Sequence, residues 1–139
     1  MNAIIPYLSF NGNAAEALAF YMKAFDGKIL FQQTFGESPV DTKPDYKDKI
    51  MHASFQAGDL LFMVSDGMPG HLSTNGTNIN LSLNFNALEE IEKRFAALSN
   101  GAVISMPLQD TFWGAKFGML TDKYGINWMF NYDYPKQAK

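Results

Sequence analysis

Two imidazoles and no thiols are what this chain offers for side-chain chemistry at neutral pH: His52 and His71 among 139 residues, with no cysteine. Disulfides, thiolate nucleophiles and cysteine-built metal centres are therefore excluded. General acid–base work needs a titratable pair held together in a cleft. For His52 the candidate partners are Asp66 and Asp110. His71 lies in a turn-rich connector, Gly67 to Gly76 (GMPGHLSTNG), and reads as a solvent-facing loop residue. No Ser-His-Asp arrangement follows from the spacing. A lone histidine is more often a hydrogen-bonded structural residue than a ligand or a base, so the elements around His52 have to decide its role.

Two strand–turn–strand segments dominate those elements. One is Phe112 to Asn131 (FWGAKFGMLTDKYGINWMFN), with Asp122-Lys123-Tyr124-Gly125 as its turn. The other is Ile50 to Asp66 (IMHASFQAGDLLFMVSD), with Gly58 where Gly125 stands later. Ahead of the earlier segment, Ala3 to Phe10 reads as a strand. Asn13 then suits a helix N-cap, with Glu16 three residues on. Ala17, Leu18, Tyr21, Ala24 and Phe25 recur at helical spacing, and Gly27 supplies a stop. Lys28 to Phe35 returns to β character, and residues 36–49, with two prolines and no periodicity, read as a loop. The second half repeats the order. Asn78 to Phe85 alternates as a strand, Ala87 to Ser99 is a helix with Leu88, Ile91, Phe95 and Leu98 on one side, and Asn100-Gly101 ends it. Ala102 to Gln109 is the next strand, and the polar tail from Tyr132 is expected to fray.

The chain is thus expected to be α+β: β-α-β-β-β used twice, within a single domain spanning 1–139. Module one covers about 1–66, a connector 67–77, and module two about 78–134. Matching Gly27 to Gly101 pairs Ala17 with Ile91, Tyr21 with Phe95 and Ala24 with Leu98. Each helix would cover one face of a small sheet and leave the other open. Two such mixed sheets side by side would form a curved trough.

Composition narrows the function classes. A hydrophobic share of 47% against 18% charged residues describes a globular chain. The net charge of −3 and pI near 5.2 give no basic footprint, so neither nucleic acid nor an anionic membrane is an expected partner. No apolar run approaches a membrane span, and the opening MNAIIPYLSF carries no export signal, so the expected location is the cytoplasm.

The motifs resemble a known group. Pro6-Tyr7-Leu8-Ser9-Phe10-Asn11-Gly12-Asn13 with Glu16-Ala17 and Phe20-Tyr21 is similar to the opening of the PhnB-like branch of the vicinal-oxygen-chelate superfamily, which includes glyoxalase and bleomycin-resistance proteins. Ile50-Met51-His52-Ala53, Gly58-Asp59 and Ser65-Asp66 resemble its middle. Phe112-Trp113-Gly114, Phe117-Gly118, Asp122 to Gly125, and Trp128-Met129 with Asn131 resemble its end. The resemblance implies two βαβββ modules and a homodimer. In superfamily enzymes it further implies a divalent metal held by His, Gln and Glu from the first and last strands of each module. Carried onto this sequence, those positions fall at Ile5, Pro6 or Tyr7, near Phe62, at Asn80 and at Met129. None is a carboxylate or an imidazole, so no catalytic metal and no cofactor are expected. Some relatives are labelled ubiquinone-pathway methyltransferases, yet no strand here runs into a Gly-rich turn able to cradle a nucleotide-type cofactor.

The lining of the trough remains. Alternation sends Leu81, Leu83 and Phe85 toward the helix, so Asn80, Ser82 and Asn84 face the trough. The repeat adds Tyr7, Ser9 and Phe62, and the last strand adds Met129 and Asn131. Phe112 and Trp113, beside Gly114, could cap a cavity or a partner. With His52, the expected ligand-binding residues are Tyr7, His52, Phe62, Asn80, Ser82, Trp113, Met129 and Asn131. Aromatic and thioether surface with a few amides and hydroxyls suits a small organic molecule. The leading reading is a metal-free binding protein, like the antibiotic-binding relatives. One alternative is a metal-dependent lyase, isomerase or dioxygenase with ligands relocated around His52. Another is a dimeric scaffold whose polar residues simply solvate an open sheet face.

Overall fold

The computed structural model describes residues 1–136, and the chain divides into two compact units, Met1–Thr74 and Asn75–Lys139. Each unit is a four-stranded mixed sheet with one helix, in the βαβββ order expected from the sequence. Among the described residues no helix is long and apolar enough to cross a membrane.

The first unit contains β1 (Tyr7–Ser9), α1 (Ala14–Phe25), β2 (Lys28–Thr34), β3 (Ile50–Ala57) and β4 (Leu60–Ser65), in the sheet order β1-β4-β3-β2. β1 runs parallel to β4, and the other pairs are antiparallel. The predicted stripe of α1 is buried at Ala14, Ala17, Leu18, Tyr21, Ala24 and Phe25. It rests on the sheet through rings: Tyr21 meets Phe62 edge-on at 5.5 Å, and Phe55 stacks on Phe62 at 4.7 Å. β1 is shorter than the expected Ala3–Phe10. Pro6 has no N–H to give a ladder, although its carbonyl still accepts from Met63 N–H at 2.9 Å.

Both ends of α1 depart from the sequence reading. Asn13 makes no side-chain cap. The carboxylate of Asp66, just beyond β4, does that work: Oδ1 accepts from Gly12 N–H and Ala14 N–H, each at 2.9 Å, and Oδ2 from Ile50 N–H at 2.8 Å. A negative group at a helix N-terminus also meets the positive end of the helix dipole. At the other end the left-handed residue is Asp26, with φ of 53°, and not Gly27. Gly27 is required for a different reason: a Cβ there would overlap the Phe55 ring and come 2.9 Å from the Gln56 carbonyl. The 36–49 loop contains a 3-10 turn, Pro44–Tyr46. It is tied down by the Tyr46 hydroxyl, which donates to the carbonyls of Asp66 at 3.1 Å and Gly67 at 2.8 Å. Lys49 Nζ donates to Gly12 O at 2.8 Å.

The second unit contains β5 (Leu81–Phe85), α2 (Leu88–Leu98), β6 (Val103–Asp110), β7 (Ala115–Thr121) and β8 (Asn127–Asp133), ordered β5-β8-β7-β6. α2 buries Ile91, Arg94, Phe95 and Leu98, while Leu88 is only half-buried. Arg94 Nε pairs with Glu90 at 2.9 Å one turn back. Phe95 meets Phe130 edge-on at 5.0 Å. Gly101 stops the helix as predicted, at φ 75°. β5 begins at Leu81 rather than Asn78, because the approach is held by a side chain: Asn127 Nδ2 donates to Gly76 O at 2.9 Å and Ile79 O at 3.0 Å. The β7–β8 turn is built on buried Asp122, which accepts from Tyr124 N–H at 2.8 Å, Ile126 N–H at 3.1 Å and Trp128 Nε1 at 2.8 Å. Of the tail expected to fray, Tyr132 and Asp133 extend β8, and Tyr134 N–H donates to Gly114 O at 3.0 Å. Residues 137–139 lie outside the described part.

Candidate functional site

Because each helix covers one side of its sheet, the strand residues of opposite parity form an uncovered face in each unit. In the first unit Ala53 and Phe55 are buried on the helix side, so His52 and Ser54 point the other way. Met63 lies opposite Ser54 on one side and Tyr7 on the other, so these residues form a row across three strands. Tyr7 reaches diagonally over β4, and its hydroxyl is 2.9 Å from His52 Nδ1. If Tyr7 donates, Nε2 carries the imidazole proton. If Nδ1 carries it, Nε2 is left as an acceptor. Phe31 closes the group from β2, its ring 6.0 Å from that of His52, which in turn lies 5.7 Å from the Tyr7 ring. Tyr7 and Phe31 are 51% and 53% exposed, which is high for aromatic strand residues.

The sequence reading put Tyr7 on the open face by the repeat and named His52 as a candidate ligand-binding residue without placing it there; the structure joins the two. It missed Phe31 and Met63. It also placed Phe62 here, which the structure corrects: Phe62 is fully buried on the helix side, packed on Tyr21 and Phe55. Of the two acids considered for His52, Asp66 is engaged elsewhere in the same unit and Asp110 belongs to the second unit. Asp66 accepts from three backbone amides, and Asp110 accepts from the Tyr134 hydroxyl at 2.6 Å. That bond, with smaller contributions from burial and nearby charge, pushes the Tyr134 phenol up to about 12. The Tyr46 phenol is also raised, first by burial and then by the Asp66 charge.

In the second unit Ser82 lies opposite Met129, and Asn84 opposite Asn131. Asn131 Nδ2 donates to Asn84 Oδ1 at 3.3 Å and to Asp133 Oδ1 at 3.1 Å. Phe117 lies opposite Asn131, and Trp113 meets its ring edge-on at 6.3 Å. Ser82, Met129, Asn131 and Trp113 are therefore brought to one region of this unit. Asn80 falls outside β5 and is exposed. Phe112 is 98% exposed, its ring 5.0 Å from that of Trp113.

The superfamily metal can be tested against these donors. The first and last strands of the two units present Tyr7 and Ser9, Met63 and Ser65, Ser82 and Asn84, Met129 and Asn131. Phenol, hydroxyl, thioether and amide groups make poor ligands for a hard divalent ion. Asp133 adds one carboxylate at the end of β8. Among the described residues no group of three or more His, Cys, Asp or Glu could hold a metal. The donor set does not fit the superfamily's metal centre.

Comparison with known proteins agrees with the motifs. The family described as 3-demethylubiquinone-9 3-methyltransferase matches residues 2–130. "Protein YjdN" of Escherichia coli is 34% identical, over 91% of this chain and 92% of its own. The crystal structure of protein PA1353 from Pseudomonas aeruginosa is 41% identical with a TM-score of 0.85, covering 96% of this chain and 98% of that one. A Bacillus cereus structure titled as a putative 3-demethylubiquinone-9 3-methyltransferase, PhnB protein, is 30% identical with a TM-score of 0.78, over 94% and 99%. For fold alone, a glyoxalase-related enzyme from Fulvimarina pelagi has a TM-score of 0.58 at 16% identity, over 99% and 94%.

Proposed function

The chain belongs to the PhnB-like family described as 3-demethylubiquinone-9 3-methyltransferase, of the glyoxalase superfamily, and on that premise we propose that it is a small-molecule-binding protein whose ligand occupies the uncovered sheet face of the first unit. The observation that carries this reading is the Tyr7–His52 hydrogen bond, which holds two polar-tipped rings in place on a face away from α1. Fixed polar groups among apolar ones are what orients a ligand in a binding site. Methyl transfer has less support. The β1–α1 turn is the place where a strand-to-helix junction could cradle a nucleotide-type cofactor, and its Gly12 and Ala14 amides are already bonded to Asp66. The relocated-ligand enzyme has no observation in its favour, since the acids nearest in that reading are bonded elsewhere.

The test is a thermal-shift panel of metabolites and antibiotics on the wild-type chain and on Tyr7→Phe and His52→Ala. A true ligand at 100 times its Kd stabilises the protein by about 2.7 kcal/mol, and that gain should shrink in both variants. A ligand whose shift survives both substitutions unchanged would refute the placement. We further propose a metal-free cytoplasmic homodimer. Native mass spectrometry of protein purified without chelator checks the assembly: a monomer alone rejects the dimer, and stoichiometric metal rejects the metal-free reading.

A further inference from the structure

The Tyr7–His52–Phe31 array points to a class of ligand. We infer that the first unit takes an uncharged, flat, fused aromatic or heteroaromatic molecule with one hydrogen-bonding atom on its edge, bound through His52 Nε2; this rests on the binding reading above. Three features of the face argue for it.

The rings come first. Tyr7, His52 and Phe31 stand on three different strands of the order β1-β4-β3-β2, and both outer rings are tilted about the central imidazole, at 42° and 43°. The outer ring centroids lie 5.7 Å and 6.0 Å from the imidazole, so they are at most about 12 Å apart, room for two or three fused rings and generous for a single one. Half-exposed aromatic faces recover contact best from another flat π-surface, which also satisfies the quadrupole preference for offset or edge-on packing.

The polar element comes second. The Tyr7 hydroxyl occupies His52 Nδ1 at 2.9 Å, so Nε2 is the ring atom left to meet a ligand. Its role as donor or acceptor follows from which partner of that bond holds the proton. A ligand with a single edge hydroxyl can serve either state.

Charge comes third. The side chains placed around His52 on this face are Tyr7, Phe31, Gln33, Ser54 and Met63, none of them an acid or a permanent cation; Lys28 shares the face but lies opposite Gln56, four residues along β3 from His52. A carboxylate or an ammonium buried beside His52 would go uncompensated there, which costs far more than burying a neutral ring.

The experiment uses the full-length protein and three probes of similar size: 2-naphthol (flat, neutral), 2-naphthoate (flat, anionic) and decahydro-2-naphthol (saturated, neutral). Binding is followed by NMR shifts of the His52 imidazole and the Tyr7 and Phe31 rings. The expected result is saturable binding of 2-naphthol with shifts at all three residues, and at least tenfold weaker binding of the other two probes. Phe31→Leu should weaken 2-naphthol several-fold while leaving the fold intact, because Phe31 is half-exposed. Tyr7→Phe keeps the ring and should chiefly change the His52 shifts. If the saturated or anionic probe perturbs these residues as strongly as 2-naphthol, the class is wrong and the binding site stands. Failure of 2-naphthol to bind also overturns the class. If no compound, including the broader metabolite and antibiotic panel, moves any of these resonances, the binding reading fails with it.

Discussion

Removing the Asp66 carboxylate should nearly unfold the first unit, although Asp66 touches no expected ligand. Its two oxygens accept from Gly12, Ala14 and Ile50, so one side chain pins the β1–α1 turn, the helix start and the first residue of β3. Asp66 is 2% exposed, and Ala14 and Ile50 are equally sheltered. In Asp66→Ala the three donors lose their acceptor, at about 1–3 kcal/mol for each amide left unsatisfied. Allowing water to reach Gly12, the expected loss is on the order of 3–6 kcal/mol, against a total stability of about 5–15 kcal/mol. With a urea m-value of about 1.5–2 kcal/mol/M, the unfolding midpoint should fall by roughly 1.5 M or more. Asp66→Asn should be little better, because one of its two atoms becomes a donor facing a donor. Hydrogen exchange gives the local readout: the Ala14 and Ile50 amides should lose protection before those in the middle of β3 and β4. A loss below about 1 kcal/mol in Asp66→Ala would refute the reasoning, since it would mean that the three amides are satisfied without the carboxylate.

The two tryptophans should separate spectroscopically. Trp128 is fully buried with Nε1 bonded to Asp122, whereas Trp113 is 58% exposed, so Trp113→Phe should leave blue-shifted emission resistant to acrylamide and Trp128→Phe the reverse. Phe62→Ala should cost about 3–5 kcal/mol in urea unfolding as a core cavity, while Met129→Ala, on the uncovered face, should cost clearly less. Equal costs would contradict the assignment of faces. Tyr134 should titrate near 12 by ultraviolet absorbance, and Tyr134→Phe should remove that step. Because its folded value is raised, the stabilising Asp110 bond is fully present below the ordinary tyrosine value of about 10 and lost as pH rises through the folded value. Alkaline unfolding of wild type and Tyr134→Phe should therefore converge above that window.

The βαβββ order was legible because its signals are local. The α1 stripe from Ala17 to Phe25 and the alternation of Leu81, Ser82, Leu83 and Asn84 each depend on a period within a dozen residues. The Asp66 hub was not legible, since its partners lie 54, 52 and 16 residues away and only the assembled sheet brings them together. Asn13 carried the better local signal for a cap, and a distant carboxylate displaced it. Phe31 was hidden by a register irregularity between Ile29 and Phe31, which breaks the parity that would have assigned its face. Tyr7 could be found because the repeat pointed to its face, and His52 because it is one of only two imidazoles in the chain. Their hydrogen bond could not be, because it runs diagonally across an intervening strand.

The misplacement of Phe62 has one cause with a wider consequence. Counting from the turn glycines, Gly58 and Gly125, sets Phe62 against Met129. The structure sets it against Phe130: Tyr21 and Phe95, already paired by the helix alignment, meet Phe62 and Phe130 edge-on at 5.5 Å and 5.0 Å. The backbone agrees, since Asp66 N–H returns to Ile50 O and Tyr134 N–H to Gly114 O, again one residue beyond the glycine count. The two hairpins turn differently. Ala57 pairs with Leu60 around Gly58-Asp59, whereas Thr121 pairs with Asn127 around the Asp122 turn. An offset of one residue reverses every side chain on a strand. Residues chosen by that count in one unit therefore point into the core when their counterparts in the other point out, and Met63, one residue further on, takes the place between Tyr7 and Ser54 that the count gave to Phe62. In a duplicated βαβββ chain the helix contacts, and not the turn glycines, fix which residues can meet a ligand.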